Sequence, residues 1–365
     1  MKKIVFTVTN DLSYDQRMNR ICSSLSANNY QVLLVGRKRK HSLPLRKKPY
    51  EQHRIPCWFD KGKFFYLEYN IRLFFFLLFA KMDAICAIDL DTILPGLYIS
   101  KIKKIPRVYD AHELFTEMKE VISRGSIKKM WTSIEKFTVP QFKKGYTVSE
   151  GIAKEFEQRY GVKYDTIRNM PALQPLDPAI KKENFILYQG AVNEGRGLEY
   201  LVEAMHDVTI PLVICGDGNY MTQLKSLVQH QGLSNKIILK GMLPPSQLWI
   251  IAQQAMIGMG QAEKEGLNQY LALPNKFFDY LHAGLPQVSM NYPEYKKIND
   301  KYKVAILIDG LSTKTIAGAI NNLLTNSVLY NQLHQNCLTA REELNWDKEE
   351  DLLLSFYQKI FKNIE

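Results

Sequence analysis

The sequence predicts an α/β protein with two domains, each built on a parallel sheet. The chain has 365 residues, more than a single domain usually contains. Short apolar runs alternate with longer amphipathic ones, which is the pattern of βαβ units. Near the middle, residues 166–184 interrupt this pattern with three prolines and many polar side chains. This stretch is predicted to be the linker between the domains.

The N-terminal domain is predicted to cover residues 1–168. Its first apolar run has only five residues, "IVFTV", which suits a buried strand and is too short for a signal peptide. A helix is predicted over residues 15–29. The predicted strands are residues 3–9, 30–36, 83–89, 107–111 and 145–149.

The most apolar run is "LFFFLLFA", residues 73–80. It has eight residues, whereas a helix needs about 20 to span a bilayer. It is predicted to be either a buried helix or part of a surface that dips into a membrane. No segment is long and apolar enough to be transmembrane.

The C-terminal domain is predicted to cover residues 169–345, followed by a C-terminal helix at 346–365 that can pack back on the N-terminal domain. Its strands and helices alternate, and the tail from Thr313 is mostly helical. The predicted strands are residues 185–190, 211–218, 236–242, 256–260, 286–290 and 304–308. The predicted helices are residues 197–207, 220–232, 245–255 and 275–284.

The net charge of +11 favours anionic partners, which are nucleic acid, an acidic membrane surface or phosphorylated small molecules. Basic clusters at 36–48 and 101–104 are read either as solvated loops or as membrane contacts. Nucleic acid is disfavoured because the basic residues do not interleave with aromatic ones in a recognisable module. The five scattered cysteines lack CxxC spacing, so they indicate no zinc site or disulfide framework and favour a reducing cytoplasm.

Glycine-rich turns follow two predicted strands of the C-terminal domain. Gly190, Gly195 and Gly197 surround Arg196 just before a helix, which suits a phosphate group or a plain turn with a solvated Arg. Gly216 begins a second tight turn, "GDG".

The stretch "LPNKFFDYLHAGLPQV" places an acid in an apolar helix. Asn275 is predicted as its N-cap and Lys276 lies in its first turn, where a cation opposes the helix dipole. A bound anion would compensate for this local violation. Asp279 lies one turn further, either as a solvated edge or facing a ligand.

In the N-terminal domain, Asp110, His112 and Glu113 come just after a predicted strand and suit acid–base chemistry or hydroxyl binding. Asp11, Asp15 and Arg17 follow the first strand. They are read either as ligand-facing or as a helix cap and start.

These segments together resemble the retaining glycosyltransferases of family 4, which have the GT-B fold. The resemblance covers nearly the whole chain and is strongest from Leu187 to Pro293, through "LYQGAVNEGRGLEYLVEAM", "ICGDG", "LKGMLPPSQLWIIAQQA" and "LPNKFFDYLHAGLPQV". In the N-terminal half it is carried by "TNDLSYDQRMNR" and "YDAHELF". It implies two Rossmann-like domains facing across a cleft, with the acceptor on the N-terminal domain and a nucleotide sugar on the C-terminal one.

The resemblance also implies roles for single residues. Arg196 matches the usual Lys that contacts the diphosphate. Asp279 matches the second acid of the family's E-x7-E pattern, which binds the donor ribose. His112 resembles a His that touches the donor sugar near the reacting carbon. The expected catalytic residues are His112, Arg196 and Lys276; the donor-binding residues are Gly190, Gly197, Gly216, Met242, Leu243, Asn275 and Asp279; and the acceptor-side residues are Asp15, Arg17 and Glu113.

Two positions depart from the family pattern. Ala191 replaces a companion Arg, and Leu271 replaces the first acid of E-x7-E, for which Glu263 or Glu265 is the expected substitute. The expected reaction is sugar transfer with retention, without metal or cofactor, to a hydroxyl of a glycan or lipid-linked acceptor in surface polysaccharide or lipopolysaccharide synthesis. The expected location is the cytoplasm, at the inner face of an anionic membrane. The alternatives are a GT-B-shaped sugar-nucleotide epimerase and a non-catalytic nucleotide-sugar-binding subunit.

Overall fold

The computed structural model describes residues 1–13 and 15–362, so Tyr14 of the "TNDLSYDQRMNR" segment and the last three residues of the predicted tail lie outside it. The chain divides into two compact units. The first consists of residues 1–168 and the final segment from residue 349, and the second consists of residues 169–348.

The first unit is built on a parallel sheet of seven strands in the order β3-β2-β1-β4-β5-β6-β7. The central strands are apolar because both faces of such a sheet are covered by helices. The strands are β1 Lys3–Thr7, β2 Gln31–Lys38, β3 Glu51–Pro56, β4 Ala84–Ile88, β5 Arg107–Ala111, β6 Gly145–Thr147 and β7 Asp165–Thr166.

Six helices accompany this sheet. They are α1 Gln16–Ala27, α2 Gly62–Phe79, α3 Ile93–Lys103, α4 Lys119–Ile122, α5 Gly125–Thr138 and α6 Glu150–Tyr160. Asp15 is the N-cap of α1, where its carboxylate accepts the Met18 N–H.

Strand β3 is not predicted from the sequence. It pairs only with β2 and has the sequence "EQHRIP", with a single buried residue, Ile55. Because an edge strand is covered on fewer sides than a central one, it lacks the apolar run by which strands are recognised.

The apolar run at 73–80 forms the second half of α2. Phe65, Tyr69, Leu73 and Leu77 are buried against the sheet, whereas other apolar side chains of the same helix are exposed. The run is therefore a partly buried helix, as one alternative predicts, and contact of its exposed face with a membrane stays a prediction.

The second unit is built on a parallel sheet of six strands in the order β10-β9-β8-β11-β12-β13. Every strand of this unit is predicted from its apolar run. The strands are β8 Ile186–Gln189, β9 Leu212–Cys215, β10 Ile237–Gly241, β11 Ile257–Gly260, β12 Gln287–Met290 and β13 Ala305–Ile308.

Among the described residues, eight helices accompany this sheet, and a ninth, which begins at Trp346, lies mainly in the first unit. They are α7 Leu198–Ala204, α8 Met221–His230, α9 Pro245–Gln254, α10 Leu267–Leu271, α11 Asn275–His282, α12 Pro293–Tyr302, α13 Thr313–Thr325, α14 Ser327–Glu343 and α15 Trp346–Lys362. Within the first unit, Tyr357 of α15 packs edge-on against Phe6 and Tyr146.

Helix α11 is anchored by aromatic side chains in the core of the second unit. Phe277, Phe278 and Tyr280 are all fully buried. The Tyr280 ring lies over Gly258 of β11, where an added Cβ would come within 2.6 Å of the ring. Its hydroxyl accepts the N–H of Gln189 at 2.9 Å, which ties α11 to the end of β8.

In each sheet the strand order reverses direction beside the first strand. These points lie between β1 and β4 in the first unit and between β8 and β11 in the second. Open α/β sheets bind ligands at the carboxyl ends of the strands at such a point. A ligand site of each unit is therefore expected at this edge of its sheet.

Candidate functional site

The turns after β8, β9 and β10 are joined through their backbones. Gly190 N–H donates to the carbonyl of Cys215, and Gly216 N–H donates to the carbonyl of Gly241. Gly216 has a φ of +154°, and a Cβ there would lie 1.8 Å from the Gly190 carbonyl oxygen. Only glycine at position 216 therefore allows these turns to meet.

A second turn brings Arg196 to this edge of the sheet. Gly195 and Gly197 on either side of it have φ values of +80° and +64°. The Gly195 carbonyl accepts the main-chain N–H of Glu263 and the side-chain amide of Gln269. The turn is thus fixed in place, and the Arg196 side chain is half-buried.

Lys276 is the most unusual residue of the second unit. Its side chain is 8% exposed, and its Nζ has no hydrogen-bond partner among the described residues. The Nζ lies 4.1 Å from the centre of the Tyr188 ring. Burial lowers the pKa of Lys276 well below its usual value, and the nearby Arg196 charge lowers it further. A buried cation without an anion is unfavourable, so this position favours an anionic ligand.

Asn275 is not the N-cap of α11, contrary to the prediction. Pro274 occupies that position, no side chain caps the helix, and Asn275 is its first residue. The Asn275 Oδ1 instead accepts a hydrogen bond from the Asn169 side chain. A proline has the extended conformation that an N-cap needs, and the first-turn N–H groups have no side-chain acceptor there.

Asp279 lies one turn further along α11 and is half-buried. Its Oδ2 accepts a hydrogen bond from Gln189 Nε2 at 2.8 Å. The other amide atom, Gln189 Oε1, is buried without a partner in the described structure. Gln189 is not singled out by the sequence; its place as the last residue of β8 is the only signal that marks it.

Two further donor-site predictions lie after β10. Met242 is 72% exposed and Leu243 is half-buried, so this strand end is open to a ligand. The two positions that depart from the family pattern, 191 and 271, differ in how exposed their side chains are. Ala191 is exposed, whereas Leu271 is buried in α10.

Gln261, the residue after β11, is another residue that the sequence does not single out. It is completely buried, and neither atom of its side-chain amide has a partner among the described residues. The expected substitutes Glu263 and Glu265 follow in the same loop, one half-buried and the other exposed.

In the first unit, Arg17 is only 4% exposed and its guanidinium is bound by partners within the unit, so its acceptor-side role stays a prediction. Its Nη2 pairs with Asp110 at 2.9 Å, its Nη1 donates to the Ile167 carbonyl, and its Nε donates to His112 Nε2 at 2.7 Å. A buried guanidinium requires such partners. Arg17 thus supports His112 from inside the unit.

His112 is about one-fifth exposed, at the end of β5. Burial alone lowers its pKa, but the carboxylates of Asp110 and Asp89 raise it, and the net shift is upward. The pKa of Asp110 is lowered overall: burial raises it, and the Arg17 and His112 charges outweigh that effect. Glu113, the next residue, is half-buried.

Asp15 lies at a cavity of about 640 Å³ in the first unit, although its carboxylate also caps α1. Both acidic and basic side chains line the cavity, so it suits a ligand with hydroxyl and phosphate groups. Its lining residues are Asn10, Asp11, Leu12, Asp15, Arg39, Lys40, His41 and Asp60.

Within 1–13 and 15–362, no helix has both the length and the apolar character needed to cross a membrane. Over the same residues, no group of three or more His, Cys, Asp or Glu side chains is arranged to hold a metal ion.

Comparison with known families gives two matches that together cover most of the chain. The model described as Glycosyltransferase Family 4 matches residues 16–171, and the model described as Glycosyl transferases group 1 matches residues 175–338. Among curated proteins, alpha-monoglucosyldiacylglycerol synthase of Streptococcus pneumoniae is 24% identical over a 236-residue alignment that covers 56% of this chain. The match spans about half of that relative, 51% of its length.

Solved structures match the whole chain. Sucrose-phosphate synthase from Thermosynechococcus elongatus has a TM-score of 0.84 at 15% identity, with all of both chains covered. Anabaena HepE in complex with UDP-glucose has a TM-score of 0.75 at 12% identity, with 100% of this chain and 99% of that one covered. At these identities the likeness shows the fold, which is GT-B, with two Rossmann-like domains.

Proposed function

Because the chain belongs to the family 4 glycosyltransferases, we propose that it transfers a sugar with retention from a nucleotide diphosphate sugar to a hydroxyl of a lipid-linked or glycan acceptor. The observation that carries the proposal is the buried, unpartnered Lys276 ammonium beside Arg196. Two cations without a neutralising group among the described residues suit the diphosphate of a donor. The UDP-glucose bound to the HepE relative makes UDP-sugars the first donors to test.

The proposed chemistry follows from where charge develops. As the bond from the anomeric carbon to the diphosphate breaks, its electron pair stays on the diphosphate, which gains negative charge. Arg196 and Lys276 stabilise that charge in place of a metal ion. The acceptor hydroxyl forms the new bond from the same face and gives its proton to the departing phosphate oxygen. His112 is proposed to contact the sugar near the reacting carbon.

On the acceptor side, we assign the cavity at Asp11 and Asp15 to the acceptor. Carboxylates accept hydrogen bonds from sugar hydroxyls, and Arg39 and Lys40 suit the phosphate of a lipid carrier. The name of the Streptococcus relative, a diacylglycerol glucoside synthase, supports a lipid-linked acceptor. Synthesis of a surface polysaccharide or lipopolysaccharide is the proposed role.

We further propose that the first unit rests on the inner face of an anionic membrane. Five apolar residues of α2 recur every three or four positions and are between 48% and 82% exposed. We name them the α2 face: Phe64, Leu67, Ile71, Phe75 and Phe79. The neighbouring α3 adds exposed Tyr98 and Ile102.

Charge complementarity supports anionic lipid as the occupant of the α2 face. Lys61 and Lys63 at the start of α2 are exposed, as are Lys101 and Lys104 at the end of α3. Apolar side chains surrounded by lysines suit an interfacial helix, with basic residues contributing about 1 kcal/mol each against an anionic surface. An apolar groove of about 210 Å³ between the two helices, lined by Leu67, Phe75 and Tyr98 among others, adds to this surface.

The first test measures nucleotide binding to Lys276→Met, which keeps the apolar stem and removes the charge. UDP is expected to stabilise the parent, by about 2.7 kcal/mol at 100 times its dissociation constant. The variant is expected to bind UDP about 10- to 100-fold more weakly, because a charge-assisted hydrogen bond contributes about 1.5–3 kcal/mol. Without ligand it is expected to be at least as stable as the parent, since a buried unpaired charge is removed.

Lys225→Met, at an exposed position of α8, is the matched control and is expected to bind UDP as the parent does. Equal UDP affinity in Lys276→Met and the parent would place the diphosphate elsewhere. Incubation of the parent with UDP-sugars, without acceptor and with a chelator, then separates the classes of function. Slow release of UDP supports the transferase, epimerisation at the sugar C2 supports an epimerase, and binding without turnover supports a binding subunit.

A further inference from the structure

Asp89, which follows β4 in the first unit, has an unusual backbone conformation. Its φ is +53°, in the left-handed region that residues other than glycine rarely adopt. Such a conformation is unfavourable for residues other than glycine and persists only where surrounding contacts impose it. Here the Asp89 N–H donates to the Asp110 carbonyl, and the Asp89 Oδ1 accepts the N–H of His112, both at 2.9 Å. The strained residue thus joins the ends of β4 and β5 at the candidate site.

The second carboxylate oxygen of Asp89 faces the imidazole of His112. Oδ2 lies 3.6 Å from Nδ1, an electrostatic contact rather than a hydrogen bond. On the opposite side of the ring, Nε2 lies 2.7 Å from Arg17 Nε and 3.1 Å from Asp110 Oδ2. The ring is therefore enclosed by one cation and two carboxylates.

These neighbours compete for the protons of the ring. Arginine only donates, so Arg17 favours a neutral imidazole in which Nε2 accepts and the single ring proton lies on Nδ1, whereas Asp110 Oδ2 beside Nε2 favours the opposite form. The Asp89 carboxylate beside Nδ1 adds to the preference for Nδ1–H. In the charged imidazolium, Nε2–H donates to Asp110 and Nδ1 is again protonated. In both states Nδ1–H faces Asp89, while Nε2 changes from acceptor to donor.

We propose that Asp89 is a positioning residue that holds His112 in the Nδ1-protonated form and leaves Nε2 as the nitrogen that exchanges its proton. The charged groups that surround this ring are Arg17 from α1, Asp110 from β5, Asp89 from the end of β4 and, further along the two turns, Asp91 and Glu113. Asp91 is bound by the Thr9 hydroxyl, so it does not share the role of Asp89. The part of the proposal that concerns turnover rests on the proposed function; the proton position does not.

The variant that tests this is Asp89→Asn. Asparagine tolerates a positive φ and has the same shape, but its amide offers only one acceptor for two facing N–H groups. ¹⁵N chemical shifts of His112 are recorded across the pH range, with the signals identified by their loss in His112→Gln. The parent is expected to keep Nδ1 protonated throughout, whereas Asp89→Asn is expected to populate the Nε2-protonated neutral ring. Burial raises the pKa of Asp89 itself to about 8, so Asp89 and His112 titrate as a coupled pair. The His112 midpoint is expected to fall in the variant, because the charge of Asp89 is one of those that raise it.

Asp91→Asn removes a neighbouring buried carboxylate and is expected to retain the parent's Nδ1 form. Asp89→Gly, which adopts a positive φ without strain, repeats the measurement if the Asn variant does not fold. In turnover, Asp89→Asn is expected to lose about 10- to 100-fold in kcat with little change in donor KM, as for other groups that orient a functional histidine. A parent His112 whose neutral ring is protonated on Nε2, or unchanged ring shifts in both Asp89 variants, would overturn the assignment even in an active enzyme.

Discussion

At the carboxyl end of β8, Gln189 orients the acid that we propose binds the donor ribose. Its side-chain amide donates to Asp279 Oδ2, and its main-chain N–H is held by the Tyr280 hydroxyl. Two neighbouring residues of α11 are thus fixed by one residue of the strand. A carboxylate held in one orientation suits recognition of a vicinal diol, since less side-chain freedom is lost on binding.

Asp279→Ala is therefore expected to weaken UDP binding by about 10- to 100-fold, because bonds between a carboxylate and hydroxyls contribute about 1.5–3 kcal/mol each. The informative comparison is 2′,3′-dideoxy-UDP, which lacks the diol and is expected to bind the variant and the parent alike. Calorimetry measures both ligands. Asp300→Ala, at an exposed position of α12, is the control. An equal loss for the two ligands would show that Asp279 maintains the shape of the site rather than binding the ribose.

At the scale of the element, α2 combines a core helix with an exposed apolar face. Its buried residues alternate with the α2 face along 18 residues, a length of about 27 Å. An exposed apolar stripe of this kind usually marks an interaction surface in a folded protein. The surrounding lysines distinguish a lipid surface from a second apolar protein.

The double variant Phe75→Ser/Phe79→Ser tests this element. It is expected to sediment less with vesicles containing anionic lipid than the parent does, because two apolar rings no longer enter the interface. UDP affinity is expected to stay unchanged. Val328→Ser removes a 78% exposed apolar residue from the second unit and serves as the control. A parent that does not sediment with anionic vesicles at low salt would contradict membrane attachment, and equal sedimentation of the variant would move the contact away from α2.

At the scale of the whole molecule, two units with similar architecture present different charged groups at the carboxyl ends of their strands. The second unit presents Arg196 and Lys276, and the first presents a histidine among carboxylates and an arginine. This division matches the proposed roles, in which the second unit holds a diphosphate and the first holds hydroxyl groups.

One measurable consequence of this charge distribution is proton uptake on binding. Without ligand the pKa of Lys276 lies well below its usual value because the ammonium is buried. A bound diphosphate raises that pKa, so between the two values the complex holds more protons than the free protein. UDP binding at about pH 8.5, where the phosphate groups are fully ionised, is expected to take up a proton, and the affinity is expected to fall as the pH rises.

Calorimetry in buffers with different ionisation enthalpies measures this uptake. Lys276→Met is expected to abolish it, because the proton taken up is the one that restores the Lys276 ammonium. Uptake of the same size in the variant and the parent would assign the proton to a different group.

The periodicity of the sequence determines most of the fold. In both units the central strands are buried on two faces and are mostly apolar, so β1, β4, β8 and β9 are recognisable as runs. The family, the GT-B fold and the enzyme class were predicted from motifs and are confirmed by the family matches and the solved structures. Edge strand β3 could not be recognised, because its partial burial imposes no apolar run.

The site residues also fall into two groups, those that the local sequence marks and those that only the tertiary structure identifies. Local sequence marks Arg196, Lys276 and Asp279 because their positions at a turn or in a helix are unusual in themselves, and their roles remain predictions. Other properties of the site depend on strands that are far apart in sequence. They are the missing partner of Lys276 among the described residues, the burial of Arg17, and the contacts that hold His112 and Asp279. Gln189 and Asp89 each stand at the end of a strand with no local signal. Only the tertiary structure shows what they hold, because hydrogen bonds between neighbouring strand ends are decided by the order of strands in the sheet.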